Sequence, residues 1–245
     1  MAKEFEIRKQ VELPASPEEV WAAIATGPGL SSWLFPFEVE PGQGGVLRLV
    51  VQNYREESTI TAWEPGERLV VEGTPGEDGT TMAYEYLIEG RDGGTTLLTF
   101  VHSGHLGDGW GDEYEAMTSH GWDQYLHTLD QYLRYFPGRR AVYVLAEGPK
   151  GGEDIWPRFA EALGLSEMPQ PGATVRLPHG EEGVVDYVVP PAFYGFFLGV
   201  RTGDALYRFH GKPDGVDVEN RLFAADADQK EAERYWTEWL GRTYA

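Results

Sequence analysis

Glu19-Val-Trp-Ala-Ala-Ile-Ala-Thr-Gly-Pro-Gly-Leu30 is answered by Asp154-Ile-Trp-Pro-Arg-Phe-Ala-Glu-Ala-Leu-Gly-Leu165, at an offset of 135 residues (154 − 19). Near the far end of each half, Gly121-Trp-Asp-Gln-Tyr-Leu126 is matched by Tyr235-Trp-Thr-Glu-Trp-Leu240. Two further echoes fall between these in the same order: Gly44-Gly-Val-Leu-Arg-Leu49 with Gly172-Ala-Thr-Val-Arg-Leu177, and Ile60 to Pro65 with Val185 to Pro190. A single short match is weak, but four in one order with apolar anchors at equivalent places indicate an internal duplication. The offset shrinks from 135 to 128 (172 − 44), 125 (185 − 60) and 114 (235 − 121). The second copy is therefore shorter, by about seven residues after its first helix and about eleven before its last.

Outward from the first quoted stretch, Ser16-Pro-Glu-Glu19 is a helix start: Ser16 can cap, Pro17 suits the first helical position and Glu19 completes a capping box. Val20, Trp21 and Ile24 then form an apolar stripe at helical spacing. Gly27-Pro-Gly29 interrupts it, with a short second turn expected through Trp33. Upstream, residues 3–13 alternate in places and end at Pro14, as an edge strand would. Downstream, 46–52, 58–63, 68–72, 80–89 and 95–103 are rich in β-branched and aromatic residues and are separated by Pro-Gly, Asp-Gly or Gly-Gly breaks, predicting antiparallel hairpins. Residues 112–136, where Trp122, Leu126, Leu129 and Leu133 recur at three- and four-residue steps, predict the helix that covers the sheet. Pro137-Gly138 ends that helix and sets the expected boundary, with domains over 1–137 and 138–245. The second half repeats the order: a strand over 141–147, a helix over 154–163, strands within 174–223 and a closing helix over 226–242.

Forty acidic against twenty basic residues give a formal charge of −20. Such a surface repels nucleic acid phosphates and anionic lipid, so neither nucleic acid nor membrane is an expected partner. Cysteine is absent, which excludes disulfides, thiolate nucleophiles and cysteine-ligated metals. Nothing resembles a signal peptide, and no run approaches the ~18 apolar residues of a membrane span, so the expected location is cytoplasmic.

Pro14-Ala-Ser-Pro-Glu-Glu-Val-Trp21, Leu30-Ser-Ser-Trp33, Gly44-Gly45, Glu64-Pro-Gly-Glu-Arg-Leu69, Gly94-Thr-Thr-Leu-Leu-Thr-Phe-Val-His102 and Gly121-Trp122 together resemble the START-like (SRPBCC) superfamily. Within it, the first half is similar to the family named after the activator of the 90-kDa heat-shock protein ATPase. The second half keeps only the Ile155-Trp156 and Trp236 anchors and the Gly-x-x-x-Arg-Leu strand. The resemblance implies an α+β fold of two tandem helix-grip domains, each an antiparallel curved sheet closed by a long carboxy-terminal helix. It also implies a cavity for an apolar or amphipathic ligand, with lipid and hormone carriers, aromatases and cyclases, and a co-chaperone module among its members. Fold membership of this kind constrains architecture more than activity.

Candidate site residues follow from the two segments that the shrinking offset marks as missing from the second copy, which in a helix-grip domain border the cavity entrance. Trp33, Phe35 and Phe37 belong to the first, and His105, Trp110 and Tyr114 lie in the region of the second. Aromatic side chains with polar tips suit a pocket that holds an apolar body and fixes one polar group. Tyr84, Tyr86, His102 and Trp122 complete the expected lining. His102, His105 and His120, interspersed with Asp108, Asp112, Glu113 and Glu115, match no compact metal-ligand spacing, so neither metal nor other cofactor is expected. Serines occur in no Gly-x-Ser-x-Gly elbow, and no catalytic constellation is visible. The expected function is binding of a small hydrophobic ligand by the first domain, the second being a filled partner. The alternatives are a cyclase- or hydrolase-type enzyme using His102 and Glu115, and a module that engages a chaperone partner.

Overall fold

The computed structural model describes residues 3–245 apart from 108–109, 112, 151–153, 193–194 and 214. The chain divides into two compact units, Met1–Arg140 and Ala141–Ala245. In the first, β1 (Lys3–Leu13) ends where Pro14 can no longer donate to a ladder. Ser16 then caps α1 (Pro17–Ala25): its hydroxyl accepts from the Glu19 amide at 3.3 Å, and the Glu19 carboxylate accepts from the Ser16 amide at 2.8 Å. Thr26 closes α1 and opens α2 (Gly27–Ser31) with one side chain, donating to the Ala22 carbonyl at 2.7 Å and accepting from the Gly29 amide at 3.1 Å. Gly29 is required at this corner, because a Cβ there would strike the Ala22 carbonyl oxygen.

Strands β2 (Phe37–Val39), β3 (Val46–Val51), β4 (Tyr54–Glu64), β5 (Arg68–Gly73), β6 (Thr81–Gly90) and β7 (Thr96–Leu106) form an antiparallel meander, and β7 returns beside β1. The resulting sheet has the order β1-β7-β6-β5-β4-β3-β2. Helix α3 (Tyr114–Tyr135) covers one face, burying Leu126, Leu129, Tyr132 and Leu133. The second unit comprises β8 (Val142–Glu147), α4 (Ile155–Ala162), β9 (Thr174–Arg176), β10 (Glu182–Ala192), β11 (Gly195–Arg201), β12 (Ala205–Lys212), β13 (Gly215–Leu222) and α5 (Gln229–Thr243). Its order, β8-β13-β12-β11-β10-β9, is that of the first sheet without the strand corresponding to β2. The α+β class and the two tandem helix-grip sheets predicted from sequence are what the structure contains.

Three local expectations are corrected. β4 begins at Tyr54 instead of Ser58, which adds Glu56 to the strand. β7 continues to Leu106, so His102 lies inside a central strand, opposite both Ile7 and Tyr84, and not at a strand end. Pairing on both sides extends β7 through Ser103, Gly104 and His105 despite their weak strand preference. The second shortening, moreover, is not one missing piece. The β5–β6 connection shrinks from 74–80 to 202–204 and the β6–β7 connection from 91–95 to 213–214, whereas the connection into the last helix is 107–113 in one unit and 223–228 in the other. The Trp110 segment thus has a counterpart of nearly equal length. Hairpin ends absorb deletions because a shorter loop leaves the strand register intact.

Candidate ligand cavity

Side chains of a strand alternate between faces, and α3 crosses only one face of the first sheet. That face carries Leu47 and Leu49 of β3, Glu56 and Ser58 of β4, Leu69 and Val71 of β5, Tyr84 and Tyr86 of β6 and His102 of β7. Between these and α3 lies a cavity of about 380 Å³. Ile24 of α1, Leu30 of α2 and the following Leu34, Phe35 and Phe37 close one side, while Tyr114, Thr118, Gly121, Trp122 and Tyr125 of α3 form the roof. The volume is within the range of small-molecule sites, at its lower end. Burial is graded: Ile24, Leu30, Leu69, Val71, Tyr86 and His102 are buried, Phe37, Leu47, Leu49, Ser58 and Thr118 are half-buried, and Glu56 is exposed. The apolar end is therefore deep and the carboxylate stands at the mouth.

His102 is held from four directions. The Trp122 indole N–H donates to its Nδ1 at 3.1 Å, the Tyr84 ring stacks on it at 4.5 Å and 26°, Phe5 meets it edge-on at 5.0 Å, and the Met82 sulfur is 3.4 Å from Nε2. Because an indole only donates, Nδ1 must be the acceptor and the ring proton sits on Nε2. Burial pushes the His102 pKa down to about 4, so the imidazole is neutral near pH 7. With its free lone pair engaged by Trp122, it is a wall of the cavity and not a poised base. Burial, reinforced by the negative charge of Glu56, raises the Tyr84 pKa far above that of a free phenol, so this hydroxyl also stays neutral and can donate.

Of the ten residues singled out from sequence, Phe35, Phe37, Tyr84, Tyr86, His102, Tyr114 and Trp122 converge on the cavity. Trp33, His105 and Trp110 do not. Trp33 is fully buried, and its indole donates to the Ala23 carbonyl at 3.0 Å, locking α2 onto α1. His105 points to the opposite face of β7, with Nε2 3.3 Å from Glu4. Trp110 donates to the Thr80 hydroxyl at 3.0 Å and the Asp78 carboxylate at 3.3 Å, and reaches the lining only through its edge contact with Tyr114 at 4.7 Å. His120 is exposed and faces the Ala116 carbonyl, Glu115 is not among the lining residues, and Asp108 and Asp112 lie outside the described residues. Among the described residues no group of three or more histidines and carboxylates gathers as a metal site. Sequence reasoning missed Glu56, Ser58, Thr118, Tyr125 and Gly121. The last had a signal, because a glycine inside a helix stands where the second copy has Tyr235.

The equivalent space in the second unit is occupied. By the sequence echoes, Phe159 stands at the place of Ile24, Tyr235 at that of Gly121 and Trp239 at that of Tyr125. Phe159 lies 4.9 Å from Phe196, 5.2 Å from Phe209 and 5.9 Å from Trp239, and Trp239 lies 5.5 Å from Trp236. These rings make up much of the buried core of that unit.

Residues 14–134 match the sequence model of the family described as activator of Hsp90 ATPase homolog 1-like protein. Among solved structures, the chain is similar to DynU16, a protein of the dynemicin biosynthetic locus, at 16% identity and a TM-score of 0.47, over 97% of this chain and 96% of that one. It is similar to protein MLL2253 of Mesorhizobium loti at 18% identity and a TM-score of 0.48, over 54% of this chain and 98% of the other. It is similar to the Aha1 dimer of Colwellia psychrerythraea at 19% identity and a TM-score of 0.43, over 53% of this chain and 96% of that one. No curated protein matches the chain. The matched residues span the strand-to-helix corner, the sheet and α3 around the cavity, and through them the first unit belongs to the activator of Hsp90 ATPase homolog 1-like family.

Proposed function

We propose that the first unit binds a small apolar or amphipathic molecule between α3 and the sheet, and that the second unit is a filled repeat without this role. The observation that carries the reading is the pairing of a cavity of about 380 Å³ in one copy with ring-filled space in the other. An empty apolar space of this size costs stability, because lining atoms lose contact partners, and the second copy removes the same cost with the buried rings of Phe159 and Trp239, while Tyr235 packs partly buried beside Trp236. Retaining the space in the first copy is explained if something enters it. The lining supports binding more than catalysis, since His102 and Tyr84 are neutral and Nδ1 of His102 is already hydrogen-bonded.

The test uses N-phenyl-1-naphthylamine, an uncharged probe that fluoresces when removed from water. Saturable binding of one probe per chain is expected, and a Gly121→Tyr chain, which refills the space as the second unit does, should lose it while remaining folded. Binding that is unchanged in folded Gly121→Tyr protein would reject the cavity as the site.

A further inference from the structure

The polar groups of the cavity are asymmetric in charge. Among the described residues Glu56 is the one carboxylate lining the cavity, and no lysine or arginine lines it. His102, the remaining basic side chain there, is neutral. A carboxylate or phosphate head group would find no cation to meet it, and would enter a chain with a formal charge of −20. The opposite sign is well served. Glu56 shares its face of β4 with Ser58, and its carboxylate accepts from the Tyr54 hydroxyl at 2.7 Å, which fixes its direction at the mouth. Among the described residues Glu56 forms no ion pair, in contrast to Glu57 on the other face of the same strand, which is paired with Arg48. Behind Glu56, the rings of Tyr84, Trp122 and Tyr125 line the cavity, and aromatic rings within reach of a cation attract it.

We infer that the ligand of this cavity is an amphipathic amine, whose apolar body lies against Ile24, Leu69 and Val71 and whose cationic nitrogen meets Glu56 at the mouth. The inference rests on the binding function proposed above and names the chemical class the same site selects. Selection follows from one uncompensated carboxylate and from the absence of any cation in the lining.

A matched series decides it: 1-naphthylmethylamine, 1-naphthylmethanol and 1-naphthylacetic acid share a body and differ in head-group charge. Calorimetric titration of the full chain at about 0.15 M salt, where a Debye length of about 8 Å screens the general attraction to an acidic protein but not a contact pair, is expected to rank amine above alcohol above acid. The amine should exceed the alcohol by roughly tenfold, the combined scale of an exposed ion pair and a cation–π contact. In Glu56→Gln protein the amine should fall most of the way to the alcohol while the alcohol is unaffected, which also reports that the cavity is intact. Equal or tighter binding of the acid, or an amine preference left undiminished by Glu56→Gln, would overturn the amine assignment and leave the binding function standing. Failure of all three ligands to bind would overturn both.

Discussion

Ile24 and Phe159 occupy one place in two copies of a fold, and the space beside them is open in the first copy and filled with rings in the second. Gly121 against Tyr235 and Tyr125 against Trp239 repeat the contrast on the closing helices. The strand order is shared except for β2, so these three exchanges act on one scaffold. A helix-grip unit can thus be a container or a solid body according to a few positions, with the backbone plan unchanged. The strongest test removes the plug. Phe159→Ala takes away a fully buried ring in contact with Phe196, Phe209 and Trp239, and should cost about 3–5 kcal/mol in urea unfolding. A loss under about 1 kcal/mol, well below that of an ordinary large core truncation, would mean that the second unit is not packed as described.

Acid separates the units next. His102 holds its pKa near 4 because it is buried, whereas the unfolded chain binds that proton at about 6.5. The unfolded state therefore carries more protons between these values. Stability is complete above pH 6.5, falls as pH drops through the window, and this contribution is gone below pH 4. The full span amounts to about 3 kcal/mol, of which about 2 kcal/mol should disappear between pH 7 and pH 5. His210 in the second unit is also displaced downward by burial, with Glu219 partly opposing, so wild-type protein alone cannot assign the effect. The difference from His102→Gln, which keeps an acceptor for Trp122, can. Parallel stability–pH curves for the two proteins would remove His102 from the account.

Trp122 sharpens the same point on a smaller scale. Phenylalanine retains a ring against Phe100 and Tyr84 but leaves Nδ1 of His102 without its donor. Trp122→Phe should cost about 1–3 kcal/mol, the range for a buried acceptor left unsatisfied. Amide hydrogen exchange in β7 reports it, and protection equal to wild type would show that the bond contributes nothing.

The duplication, the capping box at Ser16 and the period change after residue 36 were legible in the chain, because each rests on a local rule: repeat, cap, alternation. Seven of ten candidate residues reached the cavity for the same reason, since Tyr84, Tyr86 and His102 share strand faces that alternation and pairing impose. What failed depended on direction or on partners distant in sequence. Trp33 and Trp110 are both aromatic neighbours of the expected entrance, yet the Ala23 carbonyl claims one and Thr80 the other. Glu56 was invisible because its strand start, Tyr54, pairs with Val51 through a tight turn that the composition of 51–54 does not announce. His105 was misplaced by assuming that β7 had ended, since only continued pairing fixes which face it takes.

Gly121 is the smallest test and bears most directly on the contrast. A Cβ built there meets nothing within 4 Å, and its backbone is ordinary helix, so neither φ nor crowding demands glycine. Replacing an interior helical glycine by alanine gains about 1 kcal/mol from backbone entropy alone. Gly121→Ala should therefore be more stable than wild type by about that amount and, being only a methyl group larger, should still take up the neutral probe. Gly121→Tyr should keep most of the stability gain while excluding the probe. Together the pair separates the two explanations of this glycine. If alanine fails to stabilise, the helix and not the cavity is what requires glycine; if alanine stabilises and tyrosine excludes, an otherwise unfavourable residue holds the space open.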